Sequence, residues 1–336
     1  MSDAKTKIQS VHFPAFKESL PSLAGKTVVI TGTTSGTGNV AARTSLELGA
    51  KVLLLNRNSS RSSSSYEVLA ADFPNANLHA VECDLQSFAS VRNAIQEVHT
   101  LCPEGVHVLA NNAGVMALAD EATGDGYDVQ IQTNHLSHFL LTKGLMSLLE
   151  KAANESGDAR VVNHSSVARM VPSKKLQEKY FGKNGGNLGG NGASMFFGGA
   201  RWKRYNQSKL ANCAFTAALH HKLQASGSKV KALVAHPGLA NTNLQSTSVE
   251  KGGMGRLFTS WFMKMSQSME DGAMGLISCM FLPEAQSGEF YGPGKGSMAM
   301  KGKAIMFPLE SFYDNEGTRN LIWEKSCEAI GESFDI

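Results

Sequence analysis

No stretch of about 18 consecutive apolar residues occurs in this chain, so the sequence predicts no transmembrane helix. Nor is there a block of lysines and arginines. The net charge is only +3, which argues against a surface that tracks nucleic acid. Cysteine is scarce. Cys83, Cys102, Cys213, Cys279 and Cys327 are scattered, odd in number and never spaced CxxC. That disfavours a disulfide framework and leads us to expect a reducing, cytoplasmic setting. The opening segment, MSDAKTKIQSVHFPAFKESLPSLAGKT, lacks an apolar core of signal-peptide length, and its early acidic residues disfavour a transit peptide. With 42% apolar and 18% charged residues over 336 positions, the composition is that of one or two globular domains.

What is present, from residue 26 onward, is an alternation. Short β-branched or aliphatic runs at 27–31 (TVVIT), 51–55 (KVLLL), 78–83, 106–110 (VHVLA), 160–163 (RVVN) and 229–235 (KVKALVA) predict six buried strands, with 289–291 as a last one. Helical patterns fill 39–48, 87–101, 127–153, 205–225 and 270–282. Apolar strands alternating with helices predict an α/β fold: a doubly wound, Rossmann-type parallel sheet covered on both faces, with ligands at the carboxyl ends of its strands. No linker interrupts the pattern, so residues 25–336 read as a single domain behind a 1–24 N-terminal extension. One stretch, 174–204, is anomalous. It holds GKNGGNLGGNG and then MFFGGARW, and reads as a mobile, glycine-rich insertion that folds outward ahead of the next helix.

After the first strand comes TGTTSGTG, 31–38, with glycines at Gly32, Gly36 and Gly38. The spacing departs from G-x-G-x-x-G, but the physical logic is shared. Glycines let the backbone turn tightly and approach a pyrophosphate, and the following helix offers unpaired N–H groups and the positive end of its dipole. The hydroxyls of Thr33, Thr34 and Ser35 add donors. An ordinary strand-to-helix turn is the alternative. The second strand ends in Asn56-Arg57, with Arg61 nearby and no carboxylate to hold a ribose 2′-hydroxyl. A guanidinium suits a 2′-phosphate, so NADP(H) is expected over NAD(H), with a plain surface charge as the other reading of Arg57. Asp84 and Leu85 follow the third strand, where an adenine edge can be contacted; Asp84 equally suits a helix cap.

The stretch YNQSK places Tyr205 and Lys209 one helical turn apart on one face. Alone, such a pair is more often solvated surface. Here it stands in a series: TGTTSGTG (31–38), CDL (83–85), NNAG (111–114), NHLSHF (134–139), VVNHSSVA (161–168), YNQSK (205–209) and HPGLANT (236–242). In content and order this set resembles the short-chain dehydrogenase/reductase family over roughly residues 25 to 245. NNAGVM, TNHLSHFLLT and YNQSKLAN look most like its retinol-dehydrogenase and protochlorophyllide-reductase branch.

The resemblance implies a catalytic set of Asn134, Ser166, Tyr205 and Lys209. Tyr205 would be the proton donor. Lys209 would lower the phenol pKa from its usual value near 10 and also hold the nicotinamide ribose. Ser166 would orient the substrate oxygen, Ser165 being its neighbour and competitor for that role. His164 stands where the family more often has an apolar residue. Asn134 would hold a water linking Lys209 to solvent. Asn111, Ala113 and Gly114 would lie against the cofactor, Asn112 would brace the sheet, and Pro237, Gly238 and Thr242 would receive the nicotinamide amide. The family places a substrate lid after the sixth strand, at 245–269. Phe258, Trp261, Phe262 and Met265 would line the pocket there, or else belong to the core or to a dimer contact.

The implied activity is reduction of an apolar aldehyde or ketone, or the reverse alcohol oxidation, by a soluble enzyme of the kind that is often a homodimer. C=C reduction and a non-catalytic nucleotide-sensing role are the alternatives, the latter disfavoured because Tyr205 and Lys209 are both present. No metal is expected: His135 and His138 share a helix face without a third ligand at suitable spacing. The gap from Ser166 to Tyr205 exceeds the family's usual one. Nothing in these patterns identifies the substrate.

Overall fold

The computed structural model describes residues 8–193, 198–240, 266–296 and 300–336. An eight-stranded sheet runs through them in the order β3-β2-β1-β4-β5-β6-β7-β8. Its strands are β1 (Thr27–Thr31), β2 (Lys51–Asn56), β3 (Leu78–Glu82), β4 (Val108–Asn111), β5 (Ala159–His164), β6 (Val230–Ala235), β7 (Glu289–Lys295) and β8 (Lys301–Pro308). Neighbours up to β7 pair in parallel, and β8 returns antiparallel along the edge. The chain order reverses between β1 and β4, the kind of switch point at which a doubly wound sheet leaves a crevice outside its carboxyl ends.

Period-2 alternation of β1 decides which face each side chain serves. Val28 and Ile30 enter the core beneath α2 (Gly36–Glu47) and α8 (Met269–Phe281), whereas Val29 enters the larger core on the other face. That second core also takes α4 (Phe88–Leu101), α6 (Ser137–Ser156), α7 (Ala200–Ser226) and α9 (Glu316–Ile330). Two helices lack a regular apolar stripe and so had no visible pattern. One is α3 (Ser60–Asp72, SRSSSSYEVLAAD), which buries only Leu69; the other is α9.

Two expectations need correction. The run 127–153 is not one helix. A single turn, α5 (Val129–Ile131), passes into a π turn at Gln132–Leu136 before α6 begins. Such a turn shifts the side-chain phase and is often found at functional sites. The glycine-rich insertion is not outward-folded and loose over its described part. Leu176, Tyr180, Phe181 and Leu188 are buried in the main core, because apolar side chains recur among the glycines and dock under α9. The N-terminal extension likewise docks through α1 (Phe13–Glu18). The Asp271 carboxylate accepts bonds from the Ser10 hydroxyl and from the amides of Val11, His12 and Phe13 at 2.7–2.9 Å. Among the described residues, no helix is long and apolar enough to cross a membrane.

Candidate active site

A cleft of about 570 Å³ opens at the carboxyl ends of the strands and joins the β1 turn to α7. Its first wall is the glycine turn. Gly32 has φ +72°, and a Cβ there would meet the Cα and Cβ of Ala113 at 2.8 Å. At Gly38 a Cβ would fall 2.4 Å from the Gly32 carbonyl oxygen and 2.3 Å from Asn112 Nδ2. Glycine is therefore required by close approach at Gly38 and by both approach and backbone at Gly32. Asn56 locks the turn: its Oδ1 accepts from the Thr33 amide at 2.9 Å and its Nδ2 donates to the Thr33 hydroxyl at 2.8 Å. Ser35 is the N-cap of α2 but makes no side-chain capping bond, so the first amides of the helix face the cleft beside Thr34 and Gly36. A glycine cradle, open amides and a helix dipole together fit a pyrophosphate.

Arg57 and Arg61 are exposed and line the same end of the cleft. Among the described residues, neither guanidinium has a hydrogen-bond or ion-pair partner. Asp84 and Leu85 line the cleft between this end and the centre. Asp84 does not cap α4; Ser87 does, accepting from Ser90, while Asp84 Oδ1 accepts from the Gln86 amide at 2.9 Å.

Beyond the β4 end, Ala113 and Gly114 line the cleft and Asn111 does not. The Asn111 side chain is turned into the sheet, where Nδ2 donates to Thr142 Oγ1 at 3.0 Å and to Asn163 Oδ1 at 2.9 Å. It alternates away from the cleft as the last residue of the strand. Asn112 is the brace: Nδ2 donates to the carbonyls of Thr31 and Gly32, and Oδ1 accepts from the Thr37 hydroxyl and from His164 Nδ1. Those bonds require the Nδ1–H form of His164, which burial keeps neutral with a pKa lowered to about 3. Pro237 and Gly238 line the far end, with Gly238 at φ +62°. Thr242, Phe258, Trp261, Phe262 and Met265 lie outside the described residues.

Four side chains converge at the closed end. Tyr205 and Lys209 project from α7, both buried. Ser166, at the start of a 3₁₀ turn (Val167–Met170), lies against the phenol. Its neighbour Ser165 is turned away, donating to the Lys209 carbonyl at 2.7 Å and accepting from the Cys213 thiol. Lys209 Nζ donates to the His164 carbonyl at 2.9 Å. Asn134 sits in the π turn, where Oδ1 accepts from the Val115 amide at 2.7 Å and Nδ2 donates to the Val115 carbonyl and the Ser208 hydroxyl. Gly114 makes room for this meeting: a Cβ there would stand 3.2 Å from both Lys209 Nζ and Asn134 Oδ1.

The electrostatics differ from expectation in one respect. Burial pushes the Tyr205 phenol up to about 12, with the Ser166 hydroxyl pulling the other way, and it pulls the Lys209 ammonium down to about 8. The expected lowering of the phenol by Lys209 is not seen, because both groups have lost water and the ammonium is directed to a carbonyl. Trp202, Met116 and Ala168 pack around Tyr205, with the Trp202 ring edge-on at 5.8 Å. Trp202 was not anticipated, although its place three residues before Tyr205 puts it on the same helix face.

His138 is a further residue missed. The Thr31 hydroxyl accepts from the amides of Asn112 and Ala113, so its proton goes to His138 Nε2 at 2.9 Å. His138 Nδ1–H in turn donates to the Asn134 carbonyl at 3.1 Å. His135 is engaged separately, with Ser326 at 2.8 Å.

Comparison with known proteins agrees with this geometry. Residues 26–179 match the family model described as short chain dehydrogenase. Mouse retinol dehydrogenase 12 is 32% identical over 315 residues, which is 93% of this chain and 89% of the relative. The chain belongs to the short-chain dehydrogenase family. This short-chain dehydrogenase is also 37% identical to Brassica napus short-chain dehydrogenase TIC 32 A, chloroplastic, over 220 residues. That match covers 65% of each protein, so the chain spans under two thirds of this relative's length. A crystal structure of an uncharacterised protein from Mycobacterium paratuberculosis superposes with a TM-score of 0.72 at 30% identity, covering 95% of this chain and 98% of the other. The family works with NAD(H) or NADP(H), and the cradle described above fits the pyrophosphate common to both.

Proposed function

We propose that the protein is an NADP(H)-dependent oxidoreductase that reduces the carbonyl of an apolar aldehyde or ketone, and runs in reverse as an alcohol dehydrogenase. The observation that carries this reading is the meeting of Tyr205, Ser166 and Lys209 at the closed, apolar end of a cleft whose other end is a phosphate cradle. The bound nicotinamide supplies or accepts the hydride. Gly32, Gly36, Gly38 and the α2 amides would hold its pyrophosphate, with Arg57 at a 2′-phosphate.

The chain's own part is orientation and proton transfer. The Ser166 oxygen accepts from the Ala168 amide at 3.2 Å, and its hydroxyl, which meets the phenol, would turn its proton to a substrate oxygen seated between them. Tyr205 stays protonated through the neutral range, since its pKa is near 12. That value still suits a donor. An oxygen taking on alkoxide character is about as basic as hydroxide, whose conjugate acid lies at about 15.7, so the phenol proton moves downhill. The phenolate left behind gains from an ammonium one turn away, which is where Lys209 acts.

The five free cysteines support, as part of the same proposal, a reducing compartment such as the cytoplasm. The test is NADPH oxidation with a panel of long-chain aldehydes and ketones, followed by conjugated alkenes. Turnover of carbonyls is expected. Turnover confined to alkenes would replace this reading with C=C reduction, and none on any substrate would remove it.

A further inference from the structure

We propose that residues 186–191 of the glycine-rich insertion form a clasp: with Arg201 and Arg204 at the start of α7 they fix the 115–120 wall of the cleft and so determine which carbonyl substrates fit beside Tyr205. This rests on the proposed function in one respect, that the half of the cleft next to Tyr205 receives substrate.

The wall is unusual in its backbone. Ala117 has φ +51° and is, among the described residues, the one non-glycine in the left-handed region, where a Cβ is strained. It is fully buried and packs with Trp202, Ala168 and Tyr205, while its neighbours Met116 and Leu118 line the cleft. A conformation of this kind persists only when its surroundings hold it. Arg201 Nη1 donates to the Ala117 carbonyl at 3.2 Å, and Arg204 Nη2 donates to the Leu118 carbonyl at 3.1 Å. The Asp120 amide donates to Asn191 Oδ1 at 2.7 Å. Both arginines come from the sequence RWKR that leads directly into Tyr205. The wall and the catalytic helix are therefore tied to each other.

The insertion closes the tie. Asp120 accepts from the amides of Gly186, Leu188 and Gly190 at 2.8–3.0 Å. Arg204 donates to the carbonyls of Leu188 and Gly190, and Arg201 Nε donates to that of Asn191. Glycine suits a loop whose backbone must wrap around two charged groups, and Gly186, Gly189 and Gly190 all have positive φ. At the centre, Arg204 lies 3.6 Å from Asp120 and 3.1 Å from Asp128, with its side chain fully buried. Removing a single partner from such a cluster leaves a buried charge uncompensated, so the cluster holds its parts in one arrangement. The length of the 166–205 gap, the glycines and the RWKR sequence all acquire one explanation.

The test compares the wild type with Arg201→Met, and with Arg204→Met combined with Asp128→Asn so that opposite charges leave together and the fold survives. Three quantities are read: NADPH affinity, the ratio of kcat/KM for an unbranched to an α-branched aldehyde, and hydrogen exchange at the 117–120 and 186–190 amides without cofactor. The clasp predicts NADPH affinity within twofold of wild type, faster exchange in both segments, and a selectivity ratio lowered at least tenfold, mostly through KM. An unchanged ratio in a folded variant overturns it. If the wild type turns over no carbonyl at all, the functional proposal fails instead. Exchange then decides the clasp alone: coupled loosening of both segments supports it, and unchanged exchange in either overturns it.

Discussion

Lys209 follows Tyr205 by one turn of α7, yet its ammonium donates to the carbonyl of His164 at 2.9 Å and lies 5.9 Å from the centre of the phenol ring. Tyr205 and Lys209 are thus partners through a shared pocket and not through a direct bond. Burial moves both toward their neutral forms, the phenol up and the amine down.

The first consequence is a pH dependence. Lys209 is held near 8, below its ordinary 10.5, so it carries its charge below about pH 8 and loses it above. Carbonyl reduction that depends on that charge should fall as pH rises through 8. A plot of kcat/KM against pH, which reports groups of the free enzyme, checks this. Lys209→Met should abolish the falling limb. Linkage gives a second reading: between about pH 8 and 10.5 the unfolded chain binds the extra proton, so this group makes stability rise with pH across that window.

Arg57 should decide between the two dinucleotides. Arg57→Ala should weaken NADPH binding by about 10- to 100-fold, the value of one charge-assisted contact, and leave NADH binding nearly unchanged. Titration of cofactor fluorescence measures both. An unchanged NADPH-to-NADH ratio would remove the phosphate role.

Gly38 should tolerate no side chain. Gly38→Ala puts a methyl group 2.4 Å from the Gly32 carbonyl oxygen, a backbone atom that cannot swing away. The turn must open, and cofactor affinity should fall by at least tenfold, with a thermal midpoint lowered by several degrees. Gly124→Ala, where a Cβ meets nothing within 4 Å, serves as the control.

Asp271 should hold the N-terminal segment. Its burial would raise the carboxyl, but the hydrogen bonds from Val11, Ser10, His12 and Phe13 outweigh that and hold it below the usual carboxylate range. Asp271→Asn should cost roughly 2 kcal/mol, the scale of lost bonds to a charged acceptor, and expose Lys17 to trypsin. A depressed carboxyl contributes stability above its unfolded value of 3.8, so the wild-type advantage should vanish as pH drops below that range.

How much of this was legible depended on how local each cause was. β1, β2, β4, β5 and β6 were readable because each is a short apolar run buried on both faces, such as TVVIT, whereas β3 (LHAVE) is an edge strand that buries only Val81 and was read from its place in the alternation. The glycine turn and the Tyr205–Lys209 spacing were readable because they lie within one or two turns of chain. β8 was not, since an edge strand reading KGKAIMFP is mostly exposed and shows no buried alternation. Asn111 and Asn112 were readable as a pair, but which of them faces the cleft depends on where β4 ends. The anchoring of the insertion was hidden because Arg204 meets Asp120 and Asp128 only after the fold brings together segments more than seventy residues apart. The direction of the Tyr205 shift was hidden for a related reason: spacing reveals the nearby charge, while burial, which dominates, is a property of the closed pocket.

The account depends most on Tyr205 as the proton donor. The direct measurement sets wild type beside Tyr205→Phe in NADPH oxidation with a long-chain aldehyde, with NADPH binding followed by fluorescence in both. Turnover should fall by about 10²- to 10⁴-fold, the usual worth of a positioned acid, with NADPH affinity unchanged. Turnover within a few-fold of wild type in a variant that still binds NADPH would contradict it.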